Sequence, residues 1–146
     1  MDIRIRPCRV EDIDRIAAME AAIFSEPWTK TGFLETLSET EHVFLVAEDQ
    51  ENLCAYGILY CNSDEGEIPT IAVSEEGLGK RLLSRMMEEA EKRGVAHVYL
   101  EVRKSNLPAQ RLYQACGFSL VGQRKGFYHK PDEDAFVMAF HKEDIC

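Results

Sequence analysis

The chain has 146 residues, of which 45% are hydrophobic and 29% are charged, a composition typical of one globular domain over residues 1–146. Its formal net charge of -9 argues against a protein that binds nucleic acid directly through the phosphate backbone, because such proteins usually carry a basic face. The same acidic surface is compatible with a basic peptide as a partner, since it attracts cations.

Several sequence features indicate a cytoplasmic protein. The amino terminus has no apolar core of signal-peptide type, and no apolar run approaches the roughly 20 residues of a membrane span. Five cysteines without a C-x-x-C pair are typical of free thiols in a reducing compartment, and Cys54, Cys61 and Cys116 are expected to be small core residues. None of the four histidines has metal-ligand spacing, so we expect no metal. The short apolar runs likewise predict no membrane contact.

Helical and strand-like segments alternate along the chain, as judged by hydrophobic periodicity and turn residues. This order predicts an α/β fold (α+β in some schemes) with a mixed sheet and helices on both faces. In chain order the elements are an edge strand at Ile3 and Ile5, a helix within 10–24, a helix capped by Thr29 that buries Phe33, Leu34 and Leu37, strands 43–47, 54–61 and 67–73, a helix from Leu78 that stops at Gly94, strand 96–102, a helix capped by Ser105, and strands 118–124 and 135–140.

Glu20 interrupts the apolar face of the first predicted helix. Two interpretations stay open. The carboxylate lies at the rim of the core, or it faces a ligand groove.

The run LEVRKSNLPAQRLYQACGF at 100–118 carries the clearest resemblance. It resembles the L-E-V-R-x-S-N-x-x-A-x-x-L-Y-x-x-x-G-F signature of the GNAT acetyltransferases. The segments FSEPWTKTGF at 24–33, RKGFY at 124–128 and EDAFVM at 133–138 are similar to the ribosomal-protein-alanine N-acetyltransferase branch of that family. The resemblance spans most of the chain and implies a mostly antiparallel GNAT sheet, acetyl-CoA as the cosubstrate and a protein N-terminal α-amine as the acceptor.

The resemblance also implies roles for two residues on or beside predicted elements. Glu101 lies near the end of a predicted strand, where α/β sheets commonly place ligands, and the branch has its general base at the matching glutamate. Tyr113 matches the family's general acid, which protonates the departing thiolate. The residues alone also allow a solvated carboxylate at 101 and a core aromatic at 113.

The coenzyme contacts implied by the resemblance lie on three segments. The family's E-I-x-x-I-A-V strand, along which the pantetheine arm pairs, matches 67–73, where Pro69 marks either a bulge or a plain edge strand. An asparagine that contacts the same arm matches Asn106, for which local capping is the alternative. The implied contacts are Ile71, Ala72, Val73, Gly77, Gly79, Lys80 and Asn106.

The loop before the third predicted helix departs from the family pattern. The family has R-x-x-G-x-G/A there, and about four residues, including the basic one, are missing between Val73 and Gly77. Glu75 and Glu76 would place negative charge beside phosphates. Three explanations are open: the gene encodes residues that this sequence lacks, the loop is short and Gly77, Gly79 and Lys80 still hold the coenzyme, or the site is degenerate.

An α-amine is favoured over a lysine as the acceptor, because its reference pKa is about 2.4 units lower and its neutral form is roughly 3 kcal/mol easier to populate. The resemblance indicates the N-terminal alanine of a small-subunit ribosomal protein. Trp28 and Tyr128 are expected to line the peptide groove, with plain packing as their alternative. A monomer or weak dimer is expected. The other hypotheses are a GNAT enzyme acting on a small amine and a non-catalytic GNAT module.

Overall fold

The computed structural model describes residues 2–74 and 77–142, so the predictions for Glu75, Glu76 and Cys146 fall outside the described residues. Four helices and seven strands form within these ranges. In chain order they are β1 (Ile3–Pro7), α1 (Ile13–Ile23), α2 (Lys30–Ser38), β2 (Val43–Asp49), β3 (Asn52–Asn62), β4 (Glu65–Val73), α3 (Leu78–Lys92), β5 (His97–Arg103), α4 (Leu107–Ala115), β6 (Ser119–Tyr128) and β7 (Glu133–His141).

The strands form one sheet in the order β1-β2-β3-β4-β5-β7-β6. Neighbouring strands are antiparallel except for the central pair of β4 and β5, which α3 connects as a crossover. The predicted fold class, a mixed and mostly antiparallel sheet with helices on both faces, is confirmed.

The central parallel pair is short. β4 pairs with β5 only from Glu65 to Glu67, opposite His97 to Tyr99. The pairing of β4 with β3 shifts register between Ile58 and Tyr60, across from the segment that contains Pro69. Since proline lacks an amide donor, this position fits an irregular edge, and the sheet opens between β4 and β5 beyond Glu67.

Two core clusters cover the two faces of the sheet. On one face α3 packs through Leu82, Leu83 and Met86, each fully buried, and Gly94 takes a positive φ of 79° just after the helix ends. Burial of each such side chain contributes about 1.5–3 kcal/mol. On the other face α1 and α2 pack through Ile16 and Phe33, among others.

Two local details of the helices differ from the sequence predictions. Leu34 is 37% exposed, because the nine-residue α2 turns Phe33 and Thr36 toward the core instead. The cap of α4 is Asn106, not Ser105, since the Asn106 side chain accepts from the amide of Ala109 at 3.2 Å.

Two of the three predicted core cysteines also differ from their prediction, and Glu20 had two open interpretations. Cys54 is buried as expected, whereas Cys61 and Cys116 are only half-buried. Glu20 is 2% exposed, and its carboxylate accepts from the hydroxyl of Tyr56, the hydroxyl of Thr70 at 2.8 Å and the amide of Trp28 at 2.9 Å. Glu20 is therefore a buried carboxylate that joins α1, β3, β4 and the start of α2.

An ion network lies at the amino-terminal edge of the sheet. The Arg6 guanidinium donates to both carboxylate oxygens of Asp12, at 2.8 and 2.9 Å, and to both of Glu48, at 3.0 Å each. These hydrogen bonds hold the pKa of Asp12 and of Glu48 below the usual range. The network joins β1, β2 and the turn before α1.

Candidate active site

A groove of about 710 Å³ lies over the paired residues of β4 and β5 and extends to Glu101, just beyond that pairing. Residues from five elements line it, and four of them are glutamates facing a single arginine. The lining includes Glu39 after α2, Tyr60 of β3, Glu65 and Glu67 of β4, Tyr99 and Glu101 of β5, and Arg124 and Phe127 of β6. This arrangement gives the groove a net negative charge, which suits a cationic ligand such as an ammonium group.

Glu101 is the best-placed proton acceptor of the groove. Its side chain is 16% exposed, and Arg124 is its ion-pair partner, with 3.5 Å between Nε and Oε2. Burial raises the pKa of Glu101 above its usual value, and the neighbouring Glu67 raises it further, whereas Arg124 lowers it. A carboxylate with a raised pKa is a stronger base near neutral pH, which is the property that general-base catalysis needs.

Tyr113 does not line this groove. It is 7% exposed and belongs to the core cluster on the α3 face, with its ring centroid 6.0 Å from that of Phe118. Its hydroxyl makes no hydrogen bond to a described residue. Burial raises its pKa well above the usual value, with a smaller contribution from Tyr128.

Tyr128 is electrostatically coupled to both predicted catalytic residues. Burial raises the pKa of Tyr128 to about 12, Glu101 raises it and Arg103 lowers it, while Tyr128 in turn raises the pKa of Tyr113. Both phenols are therefore protonated at neutral pH.

The predicted coenzyme strand has one free edge. Ile71, Ala72 and Val73 pair with Gly57, Tyr56 and Ala55 of β3 on one side. On the side toward β5, the pairing found in the described ranges ends at Glu67. The backbone of 70–73 is therefore open to an extended ligand that carries amide groups.

No side chain of the described residues caps the amino terminus of α3. Gly77 is its N-cap, takes a positive φ of 86° and makes no side-chain cap. A side chain at Gly79 would meet Leu112 of α4 at 2.9 Å, so close helix packing already accounts for that glycine. Lys80 is exposed beside them. The unpaired amides of this helix end can bind an anion.

Asn106 and the two predicted groove aromatics have structural contacts. The Asn106 oxygen caps α4, and its exposed amide group bonds to no described residue. Trp28 packs on Phe33 and on Tyr60, at ring-centroid distances of 5.2 and 6.1 Å. Neither Trp28 nor Tyr128 lines the groove directly; Tyr60 and Phe127 lie there in contact with them.

Arg124, Tyr60 and Glu39 line the groove, although no sequence pattern predicts this. Arg124 lies in the family-like segment 124–128, but nothing in its spacing indicates a contact with Glu101. Register supplies that contact, since Arg124 pairs with Ala135 and Glu101 pairs with Val137 on the shared neighbour β7.

One cluster near the groove resembles a metal site. Ligand-type atoms of Glu39, Glu41 and His42 lie within 4.8 Å of one another. However, the amide of Cys61 donates to His42 Nδ1 at 3.0 Å, so the neutral ring carries its proton on Nε2. That nitrogen then lacks a lone pair for a metal and points at Glu39 and Glu41, 3.6 Å from an oxygen of each. The expectation that no metal binds stays a prediction.

Comparison with known proteins decides the family. The model of the Acetyltransferase (GNAT) family matches residues 13–118. The chain belongs to the GNAT acetyltransferase family. It is therefore an N-acetyltransferase with acetyl-CoA as its acetyl donor, as the resemblance implied.

Individual relatives match most of the chain. The ribosomal protein bS18-alanine N-acetyltransferase of Haemophilus ducreyi is 33% identical over 138 residues, covering 90% of this chain and 94% of that protein. Its counterpart in Escherichia coli K12 is 34% identical over 134 residues, covering 88% and 90%. The crystal structure of the Escherichia coli ribosomal-protein-S18-alanine N-acetyltransferase superposes with a TM-score of 0.86 at 29% identity, covering 96% of this chain and 94% of that one.

None of the helices in residues 2–74 and 77–142 is long and apolar enough to cross a membrane.

Proposed function

We propose that this GNAT enzyme acetylates a protein N-terminal α-amine, and that its substrate is the N-terminal alanine of a ribosomal protein of the bS18 type. The observation that carries the proposal is the acidic groove, in which the Glu101 side chain is only 16% exposed. The names and the coverage of the relatives support the substrate.

Glu101 is the proposed general base. The acceptor enters as an ammonium group, which the four groove glutamates attract. Glu101 takes a proton from it, directly or through one water, and the neutral nitrogen attacks the thioester carbonyl. The raised pKa of Glu101 brings its basicity closer to that of an α-amine, whose reference pKa is near 8.

Tyr113 is the proposed general acid. The carbon–sulfur bond breaks as the amide forms, and the nitrogen releases its second proton to solvent. The departing thiolate takes the phenolic proton, which Tyr113 then regains from solvent. The hydroxyl is suited to this role because it has no competing partner among the described residues. Tyr113→Phe should keep coenzyme affinity and lower the single-turnover rate about tenfold or more; an unchanged rate would leave Tyr113 with packing alone.

The residues proposed to hold the coenzyme fit its chemistry. The free edge of Ile71, Ala72 and Val73 matches a chain of two amides, and the exposed amide of Asn106 adds a donor. The helix end at Gly77, Gly79 and Lys80 matches a pyrophosphate. This fit supports the short-loop explanation over a degenerate site. Trp28 and Tyr128 are proposed to shape the peptide side through Tyr60 and Phe127.

The test uses two peptides of one sequence that begins with alanine and contains one lysine. One peptide has a free α-amine, and the other has a formylated α-amine with the lysine still free. Acetyl-CoA and enzyme should add 42 Da, the mass of one acetyl group, to the first peptide only, as read by mass spectrometry. Modification of the second peptide contradicts the α-amine proposal.

Calorimetry of coenzyme binding and a panel of small amines separate the other hypotheses. Turnover of a small amine without peptide turnover indicates a small-molecule enzyme. Absence of coenzyme binding indicates a non-catalytic module. Coenzyme binding together with peptide acetylation supports the proposal.

A further inference from the structure

Arg103 lies on β5 two residues after Glu101, so both side chains project from the same face of the strand. Its guanidinium reaches across the end of the groove to two segments far apart in sequence. We call residues 24–29 the α1–α2 linker and residues 129–132 the β6–β7 turn. Arg103 Nη2 donates to Ser25 Oγ of the linker at 3.2 Å and to the carbonyl of His129 in the turn at 3.1 Å.

The other guanidinium nitrogen completes the attachment to the turn. Arg103 Nη1 donates to the carbonyl of Pro131 at 3.0 Å and to Glu133 Oε1 at 3.1 Å. One planar side chain thus makes four hydrogen bonds in fixed directions. A lysine, with a single ammonium group, cannot reproduce this fork.

The linker and the turn also contact each other directly. The amide of His129 donates to Glu26 Oε1 at 2.9 Å, and Ser25 Oγ donates to the carbonyl of His129 at 3.4 Å. These two contacts are exposed to solvent, so each alone is a weak attachment. The guanidinium at their centre makes them one connected unit.

Arg103 also covers an aromatic ring beside the groove. Its central carbon lies 4.4 Å from the ring centroid of Tyr128, a cation–π distance. Tyr128 packs edge-to-face on Phe127, which lines the groove, with 5.0 Å between ring centroids. Arg103 therefore contacts the groove wall indirectly, through the rings of Tyr128 and Phe127.

We propose that Arg103 is a positioning residue that ties the α1–α2 linker to the β6–β7 turn and so fixes the width of the groove for the acceptor peptide. It acts through Tyr128 and the linker rather than on the reacting atoms. This role rests on the proposed function only in naming the ligand as a peptide. The attachment of linker to turn is independent of any substrate.

The test compares Arg103→Lys with Arg85→Lys. Arg85 pairs with Glu89 on the exposed side of α3, remote from the groove, so it controls for the loss of one guanidinium–carboxylate pair. Arg103→Lys should raise the KM for the acceptor peptide at least fivefold and leave the coenzyme affinity within twofold of wild type. Amide exchange of residues 24–29 and 129–132 should accelerate at least fivefold. Arg85→Lys should change none of these.

Ser25→Ala provides a milder variant that folds whether or not Arg103→Lys does. It should raise the peptide KM about twofold, and the double variant should show less than the product of the single effects, because both act through one attachment. Wild-type exchange and wild-type KM in Arg103→Lys would overturn the proposal, as would an equal loss of coenzyme affinity. If wild-type enzyme acetylates no peptide, the proposed function fails, whereas the exchange comparison still decides the attachment.

Discussion

Glu48 and Glu101 expose the same fraction of their side chains, 16%, but their surroundings shift their pKa values in opposite directions. Glu48 accepts two hydrogen bonds from the buried guanidinium of Arg6, which lower its pKa. Glu101 has the exposed Arg124 as its ion-pair partner at 3.5 Å, and burial together with the neighbouring Glu67 raises its pKa. At Glu48 the hydrogen bonds to the charged form outweigh burial, whereas at Glu101 burial and Glu67 outweigh the weak attraction of Arg124.

The comparison separates two uses of acidic residues. At the edge of the sheet, Arg6 bonds fully to Asp12 and Glu48, and the network stabilises the fold. In the groove, four glutamates lie near one exposed arginine. The surrounding strands keep these like charges close together despite their mutual repulsion. Uncompensated charge of this kind is typical of functional sites, where stability is given up for reactivity.

The largest expected effect is that of Glu101→Gln. Without a base, the acceptor must arrive already neutral, so the single-turnover acetylation rate should fall about 10²–10⁴-fold, most strongly below the pKa of the amine. The thermal midpoint should stay unchanged or rise, since a raised pKa marks an unfavourable charge. Mass spectrometry across a pH series measures the rate.

Glu48→Gln is the matched control, because it makes the same chemical change at the same exposure. It should lower stability by about 1–2 kcal/mol through the loss of charge-assisted hydrogen bonds, and leave the rate per folded molecule unchanged. An equal loss of rate in both variants would mean that the two glutamates do not differ in function.

Asp12→Asn should give the next largest effect, a loss of about 3–5 kcal/mol of stability, because it leaves the nearly buried Arg6 without its main counter-charge. The folded-state pKa of Asp12 is lowered, so its contribution is present above the ordinary carboxyl pKa near 4 and is lost as the pH falls below it. Urea unfolding at pH 7 and at pH 3 measures both. The difference between wild type and variant should shrink at pH 3; a constant difference would contradict the pKa assignment.

The sequence predicts the fold well where a single element carries the signal. The apolar face of α3 follows from its periodicity, and its end follows from Gly94. The prediction that Leu34 is buried was wrong. Helix α2 has only nine residues, too few for periodicity to distinguish a buried position from its neighbour. The predicted cap of α4 was wrong by one residue, because serine and asparagine both cap helices and Ser105 and Asn106 are adjacent in the sequence.

The site is less predictable, since pairs of elements create it. Glu67 influences Glu101 because the only parallel pair in the described sheet sets Glu67 beside Tyr99. The Arg6 network likewise needs the register that pairs β1 with β2, which places residue 48 near residue 6. Arg103 contacts segments 78 and 26 positions away. Single-sequence patterns report spacing within one element and carry no register between strands.

The smallest expected effect is that of Arg124→Gln. Arg124 lowers the pKa of Glu101, but its own side chain is 60% exposed, so solvent screens the interaction. Without it the pKa of Glu101 rises, and Glu101 is deprotonated only at higher pH. The acid limb of the profile of kcat/KM against pH should therefore move upward by less than about one unit, with the rate above the limb retained.

Lys125→Gln, which removes a neighbouring exposed charge of the same sign, should not move the limb. In 0.5 M salt, screening should bring the wild-type limb toward that of the variant. A shift of the limb to lower pH, or an equal shift in Lys125→Gln, would mean that Arg124 does not control the basicity of Glu101. The charge of Glu101 would then be balanced by other groups of the groove, as the charge of Glu48 is balanced in the Arg6 network.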